Sequence, residues 1–199
     1  MGSLIKSIFE TGIIEKLISK LVGTKVRIGS AQIDLLSGRL RFTDIVVSNP
    51  KGFHAPYILR FRRCQAKIDP LSVLSGKVVV RKMRIRDAEA IYEASWGESN
   101  FSAILKNIDR IMGAKPSRGR RAPDKVRYQI DDLVIQGSRI HLSAKLLPGK
   151  GLTLPVPAIS LEGLGKESPG LSGLEVMAVI IRHVIGEGLK AILPGFGGS

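Results

Sequence analysis

The adjacent carboxylates Asp131 and Asp132, three histidines (His54, His141 and His183) and a single cysteine, Cys64, are the residue types from which acid–base, metal or nucleophilic chemistry would have to be built. Their spacing does not build it. The histidines lie far apart in the chain and none has the spacing of a zinc ligand. Neighbouring residues of a strand point to opposite faces, so Asp131 and Asp132 do not form an acid–base pair unless the backbone bulges. Gly186-Glu187-Gly188 lacks the third glycine and the preceding strand of a dinucleotide loop, and there is no Walker loop. Gly170-Leu171-Ser172-Gly173 does not match a nucleophile elbow. The chain therefore reads as a non-enzyme, with no catalytic, cofactor or metal residues. Cys64 reads as a small buried hydrophobe, and one cysteine excludes a disulfide within the chain.

Cationic charge is the stronger chemical signal. The 199 residues carry 31 Lys and Arg against 17 Asp and Glu, a formal charge of +14. Arg27, Arg41 and Arg60 occupy the same slot in three strand-like segments, and Arg62, Arg63, Arg81, Arg84, Arg86 and Arg127 extend them into a candidate array on one outer face. Such an array attracts anionic lipid head groups, worth about 1 kcal/mol per residue near the surface. Equally, it is a solvated face that keeps sheets from stacking. A nucleic-acid partner is not expected, because only 5% of residues are aromatic and no recognition motif is present.

The elements that position these residues carry a recurring defect. Five segments run apolar-polar-apolar, break the alternation over two residues, then resume. The breaks fall at Gly29-Ser30, Thr43-Asp44, Arg62-Arg63, Arg81-Lys82 and Asp131-Asp132. Since strand side chains alternate with period two, the second half stays on the same face only if the backbone absorbs one residue, bending and twisting the strand. Breaks aligned across strands would crease the sheet along one line. The expectation is an α+β fold: a strongly curved, bulged antiparallel half-pipe of about six long strands, roughly 29 Å long at about 4.8 Å per strand. Its inner wall would be Val26, Ile28, Ile33, Leu40, Phe42, Ile45, Val47, Leu59, Phe61, Ala66, Ile68, Val78, Val80, Met83, Ile85, Tyr128, Ile130, Leu133 and Ile135.

One domain spans 1–199. It opens with an amphipathic helix over 4–22, read as a plug for the end of the sheet core in preference to a helix lying on a membrane. The curved sheet occupies 25–161, interrupted by a helix over 100–112 and a basic, breaker-rich loop over 113–125. A second amphipathic helix covers 172–193. Ser99 or Asn100 caps the inserted helix, a role preferred to the glycosylation sequon Asn100-Phe101-Ser102. Pro155 and Pro157 mark the last strand as an edge. No run approaches the roughly 20 apolar residues of a membrane span, and Glu10, Glu15 and Lys16 interrupt any signal-peptide core.

Several blocks, in order, resemble the AsmA family of bacterial envelope proteins, specifically its short members. They are Val26-Arg27-Ile28-Gly29 with Asp34 to Leu40, Ser48-Asn49-Pro50-Lys51-Gly52-Phe53, Asp69 to Val80, Glu98 to Ile108, Val156 to Leu161, and Leu164-Gly165-Lys166. The resemblance implies a half-pipe related to bridge-like lipid-transfer proteins, and residence in the bacterial envelope on the periplasmic side. It also implies a phospholipid or other acyl-chain lipid as ligand, with a role in membrane and outer-membrane biogenesis. The family's usual N-terminal membrane helix is not visible in this chain. An anionic membrane surface, other envelope proteins and self-association through sheet edges are the further expected partners. The competing expectation is a structural scaffold whose trough is filled by its own two terminal helices.

Overall fold

The fold is seen in a computed structural model that describes residues 10–95, 97–113, 126–143, 151–167 and 169–192. It is α+β, with one large mixed sheet and helices on its apolar face. The start of the first expected helix, most of the basic loop and the last residue of the C-terminal helix fall outside the described residues.

Helix α1 (Thr11–Val22) turns Ile14, Ile18 and Leu21 toward the core at helical spacing. It stops at Gly23, whose φ of 75° lets its N–H reach the Ser19 carbonyl at 2.9 Å. Strand β1 (Val26–Asp34) follows as an edge, partly masked by α1. Ser19 Oγ accepts from the Val26 N–H at 2.9 Å and Glu15 Oε1 from the Ile28 N–H at 2.6 Å. Strands β2 (Arg39–Val47), β3 (Leu59–Ile68) and β4 (Lys77–Tyr92) continue an antiparallel meander, with a 3₁₀ turn over Pro70–Ser75 between the last two.

A small hairpin, β5 (Ala94–Ser95) with β6 (Glu98–Ser99), leads into helix α2 (Asn100–Gly113). This crossover returns the chain to the end where β4 began, so β7 (Arg127–Gln136) runs parallel to β4. The expected all-antiparallel sheet is thus corrected to a mixed one. Strand β8 (Arg139–Leu142) continues along β4 at the same offset, and β9 (Thr153–Pro155) and β10 (Ile159–Leu164) together form the final antiparallel edge. Six long rails result, two of them interrupted. Helix α3 (Gly173–Ile192) then packs over the sheet.

The breaks in alternation form two rows. The β1–β2 pairing passes from Ile28↔Ile45 to Ser30↔Thr43, skipping Gly29 and Asp44. β2–β3 skips Asp44 and Arg62, and β3–β4 skips Arg62 and Asp87. The row continues where β7 gives way to β8, opposite Asp87, at Gly137. Register is unchanged on either side, because each strand adds its extra residue at the same level. Asp44 (φ 49°), Asp87 (φ 56°) and Gly137 (φ 70°) take the left-handed backbone that absorbs it. The second row is different: β4 and β7 skip Arg81-Lys82 and Asp131-Asp132, and β7 and β10 skip Asp131 and Gly163. The single line expected from the sequence is therefore two lines, and β4 and β7–β8 cross both. Where the end of β3 meets the second line, Lys67 pairs with Lys82 but Ile68 with Val80, leaving Arg81 as a bulge of two residues against one.

Candidate functional site

Because the alternation resets at each row, one face stays apolar along every rail. Eighteen of the nineteen residues expected on the inner wall belong to the core or pack against it. Ile33 is the exception, being exposed near the end of β1. The helices supply the opposite wall. Phe101, Ile104 and Ile108 of α2 are fully buried, as is Ile185 of α3, with Val176, Ala178, Ile180, Ile181 and Val184 close behind.

Among the described residues, two apolar cavities lie between sheet and helices. One of about 90 Å³ is lined by Ile14, Ile18, Ile28, Phe42, Ile45, Val47, Phe61, Cys64, Met83, Ile85, Met177, Ile180 and Ile181. The other, about 120 Å³, is lined by Ile14, Leu17, Ile18, Leu40, Phe42, Cys64, Ala66, Val80, Met83, Tyr128, Ile130, Gly173, Val176 and Met177. They share Ile14, Ile18, Phe42, Cys64, Met83 and Met177, so a few side chains separate them. Apart from the Tyr128 hydroxyl and the Cys64 thiol, the lining is hydrocarbon and thioether. Burial pushes the Cys64 thiol up to about 12, which leaves it an uncharged apolar group. Twelve of the nineteen expected wall residues line these cavities; Val26, Ile33, Leu59, Ile68, Val78, Leu133 and Ile135 do not. Cys64 is the sheet residue missing from the expected wall, although its alternation places it there. The α1 and α3 contributions required the tertiary packing.

The arginines divide. Arg60 binds Asp44 through Nε (3.1 Å) and Nη2 (2.7 Å), and Arg62 binds the buried Glu89 at 3.0 and 2.9 Å. Arg81 spans Asp69 and Asp131, each at 3.0 Å, while Arg84 meets Asp132 at 2.5 Å and Arg127 lies 3.7 Å from Glu175. Asp131 and Asp132 are thus partners of arginines. Gln129 and Arg81 hold the Asp131 carboxyl below its usual range, and Arg84 does the same at Asp132. Arg27 and Arg60 flank Val46 in one cross-strand row, but Arg41 falls in another, between Gln32 and Gln65, so the three do not form the expected single row. With the Gln65 amide turned so that its oxygen faces Arg41, that oxygen accepts from Arg41 Nε at 3.2 Å and Nη2 at 3.3 Å. Arg27, Arg63 and Arg86 have no ion-pair partner among the described residues.

Opposite the lower half of the apolar face lies a hollow of about 550 Å³, lined by Gln32, Ile33, Asp34, Arg39, Leu40, Arg41, Gln65, Ala66, Lys67, Lys82 and Arg84. Five cations face one carboxylate there. The array expected from the sequence includes only Arg41 and Arg84 of these.

Two buried carboxylates, not singled out in the sequence, hold the far end together. Glu93 accepts from the N–H groups of His54 and Ala55 at 2.8 Å and from Asn49 Nδ2 at 3.1 Å. Glu89 accepts from Tyr57 Oη and Arg62. Ser99 Oγ caps α2 by accepting from the Ser102 N–H at 3.1 Å. Asn100 does not cap the helix and instead ties it to the sheet. Its buried Nδ2 donates to the Ile91 carbonyl at 2.7 Å and to Asn49 at 3.0 Å, which closes it to glycosylation in the folded chain. The histidines are dispersed, His54 beside Glu93, His141 against Thr153 Oγ1 and His183 against the Val179 carbonyl.

Among the described residues no helix is long and apolar enough to cross a membrane. No protein-family model and no curated protein matches the chain, so its function is read from the geometry of the site alone.

Proposed function

We propose that the chain is a non-enzymatic, AsmA-like lipid-binding module of the bacterial envelope, whose creased sheet forms a half-pipe holding hydrocarbon against its apolar wall. One observation carries the reading: the paired cavities between β1–β4, β7, α1 and α3 are lined by apolar side chains from several elements, with no charged group among them. An engineered apolar cavity of about 150 Å³ stays dry and takes up benzene, so cavities of this kind favour hydrocarbon over water. At about 25 cal/mol per Å² of apolar surface removed from water, a chain is retained without directional contacts. By the benzene yardstick the two cavities together take roughly eight carbons. A full acyl chain therefore requires Met83 and Met177, the flexible side chains common to both, to move aside together with α1.

The extent of the helical cover favours a second reading, a structural scaffold whose trough is closed by its own helices. Organic extraction and mass spectrometry of natively purified protein separate the two. Lipid-binding protein releases phospholipid, and a variant with the cavities filled, Cys64→Leu with Ala66→Leu, folds but releases much less. Wild-type protein free of lipid, or a filled variant with unchanged lipid content, defeats the proposal and leaves the scaffold.

A further inference from the structure

Six large apolar side chains are exposed among the described residues, and the three most exposed are Leu36 (96%), Leu71 (78%) and Leu74 (63%). Singly exposed leucines are ordinary on protein surfaces. These three are grouped. Leu36 sits in the β1–β2 turn, and Leu71 and Leu74 in the 3₁₀ turn between β3 and β4. The pairing Arg39↔Lys67 puts the two connections at the same end of the sheet, and the Ile68 N–H ties them by donating to the Gly38 carbonyl at 2.8 Å. The 3₁₀ turn is itself held, with the half-buried Val73 packed against the core and Asp69 Oδ1 accepting from the Leu71 N–H at 3.1 Å, so its leucines project from a built support.

The cationic hollow begins directly behind this end, with Arg39, Lys67 and Lys82 in one cross-strand row. Arg84 is paired with Asp132 and Lys67 donates to the Ser37 carbonyl, while Arg39 and Lys82 have no hydrogen-bonded carboxylate among the described residues. Asp34 lies across from Arg39 and both Arg84 and Lys82 act on Asp132, so five cations share the fields of two carboxylates and the hollow keeps a net positive charge. Projecting leucines backed by this cationic excess match one kind of surface: an apolar interior under a layer of negative phosphates. We propose that this end of the sheet docks on an anionic phospholipid bilayer, with Leu36, Leu71 and Leu74 entering the acyl region and Arg39, Lys67 and Lys82 meeting the head groups. A nucleic acid would use the cations but gain nothing from the leucines. Docking does not depend on the cavity holding lipid. If the lipid-binding reading holds as well, Leu40, Ala66 and Val80 turn the larger cavity toward the docked end.

The test is co-sedimentation of the full chain with phosphatidylcholine vesicles and with phosphatidylcholine–phosphatidylglycerol vesicles. Wild type binds the mixed vesicles and barely binds the neutral ones. Leu36→Ser/Leu71→Ser/Leu74→Ser weakens binding roughly tenfold per leucine that had been buried in the bilayer. Arg39→Glu/Lys67→Glu/Lys82→Glu weakens it roughly a hundredfold or more. A control of equal charge change on α1 and the opposite end, Lys20→Glu/Lys25→Glu/Lys51→Glu, loses less than about fivefold. Leu71→Trp, a single exposed change, is quenched by brominated lipid. Four results overturn the proposal: no binding of wild type to mixed vesicles, indifference to the leucine changes, equal loss in the control, or tighter binding to a duplex oligonucleotide than to mixed vesicles. Extracted lipid is measured on the leucine variant too. Retained lipid with lost sedimentation shows docking and cavity occupancy to be separate properties.

Discussion

Glu93→Gln tests how the upper end of the sheet is held. The Glu93 carboxylate is buried and receives the His54 N–H at 2.8 Å, the Ala55 N–H at 2.8 Å and Asn49 Nδ2 at 3.1 Å, while its own N–H donates to Asn100 Oδ1 at 3.0 Å. It joins the loop after β2, the end of β4 and the start of α2. Glutamine keeps the shape but turns one acceptor oxygen into an NH₂ group facing donors, and hydrogen bonds to a charged group contribute about 1.5–3 kcal/mol each. With partial relaxation of the exposed loop, the expected loss is about 2–4 kcal/mol at pH 7. Burial alone would raise the Glu93 pKa, but the Ala55 and His54 N–H groups, the His54 ring and Asn49 outweigh it and hold the carboxyl below its ordinary 4.5. A depressed carboxyl contributes its full stability above the unfolded value and loses it as pH falls through the lower folded value. The gap between wild type and variant is therefore full at about pH 6–7 and narrows below about pH 4.5. Urea unfolding followed by circular dichroism at about pH 7 and near pH 3.5 measures both parts. A loss under about 0.5 kcal/mol at pH 7, or a gap that does not narrow on acidification, refutes the reasoning.

Two further outcomes follow from the left-handed backbone at Asp87 and from the cavity. Asp87→Val places a β-branched residue at φ 56° and should cost about 2 kcal/mol in urea unfolding, whereas Asp87→Gly should lie within about 1 kcal/mol of wild type; equal losses would mean that the left-handed backbone is not what matters there. Cys64, buried with its thiol pushed up to about 12, should react with a maleimide near pH 7.5 far more slowly than a free thiol and at the ordinary rate in denaturant. Rapid stoichiometric labelling of folded protein would show that the cavity wall opens readily to solvent.

Much of the sheet was legible one strand at a time. Leu40 and Phe42 sit on one parity and Ile45 and Val47 on the other, and the same reset appears around Arg62-Arg63 and Gly29-Ser30, because a core face must be continuous whatever the backbone does. Local pattern failed where small residues blurred it. The second reset in β4, at Arg86-Asp87, is followed by Ala88 and Ala90, which carry too little hydrophobic contrast to announce a face. Strand direction was equally hidden: nothing in the apolar alternation of β7 says whether it runs with or against β4, and the α2 crossover decides that.

Side-chain partners lay further still from local pattern. Nine arginines of one apparent kind separated into paired and free only when Asp44, Glu89, Asp131 and Asp132 arrived from other strands, and Leu36 in a turn looks like any core leucine until its neighbours are known. The residue order of this chain was enough to mark one reset of the alternation in each of β1, β2, β3, β4 and β7 and to say which face is oily there, since those follow from period-two geometry within a few residues. Which cations lack a hydrogen-bonded carboxylate, which leucines project, and how much of the oily face the helices leave uncovered were decided by contacts between residues tens of positions apart.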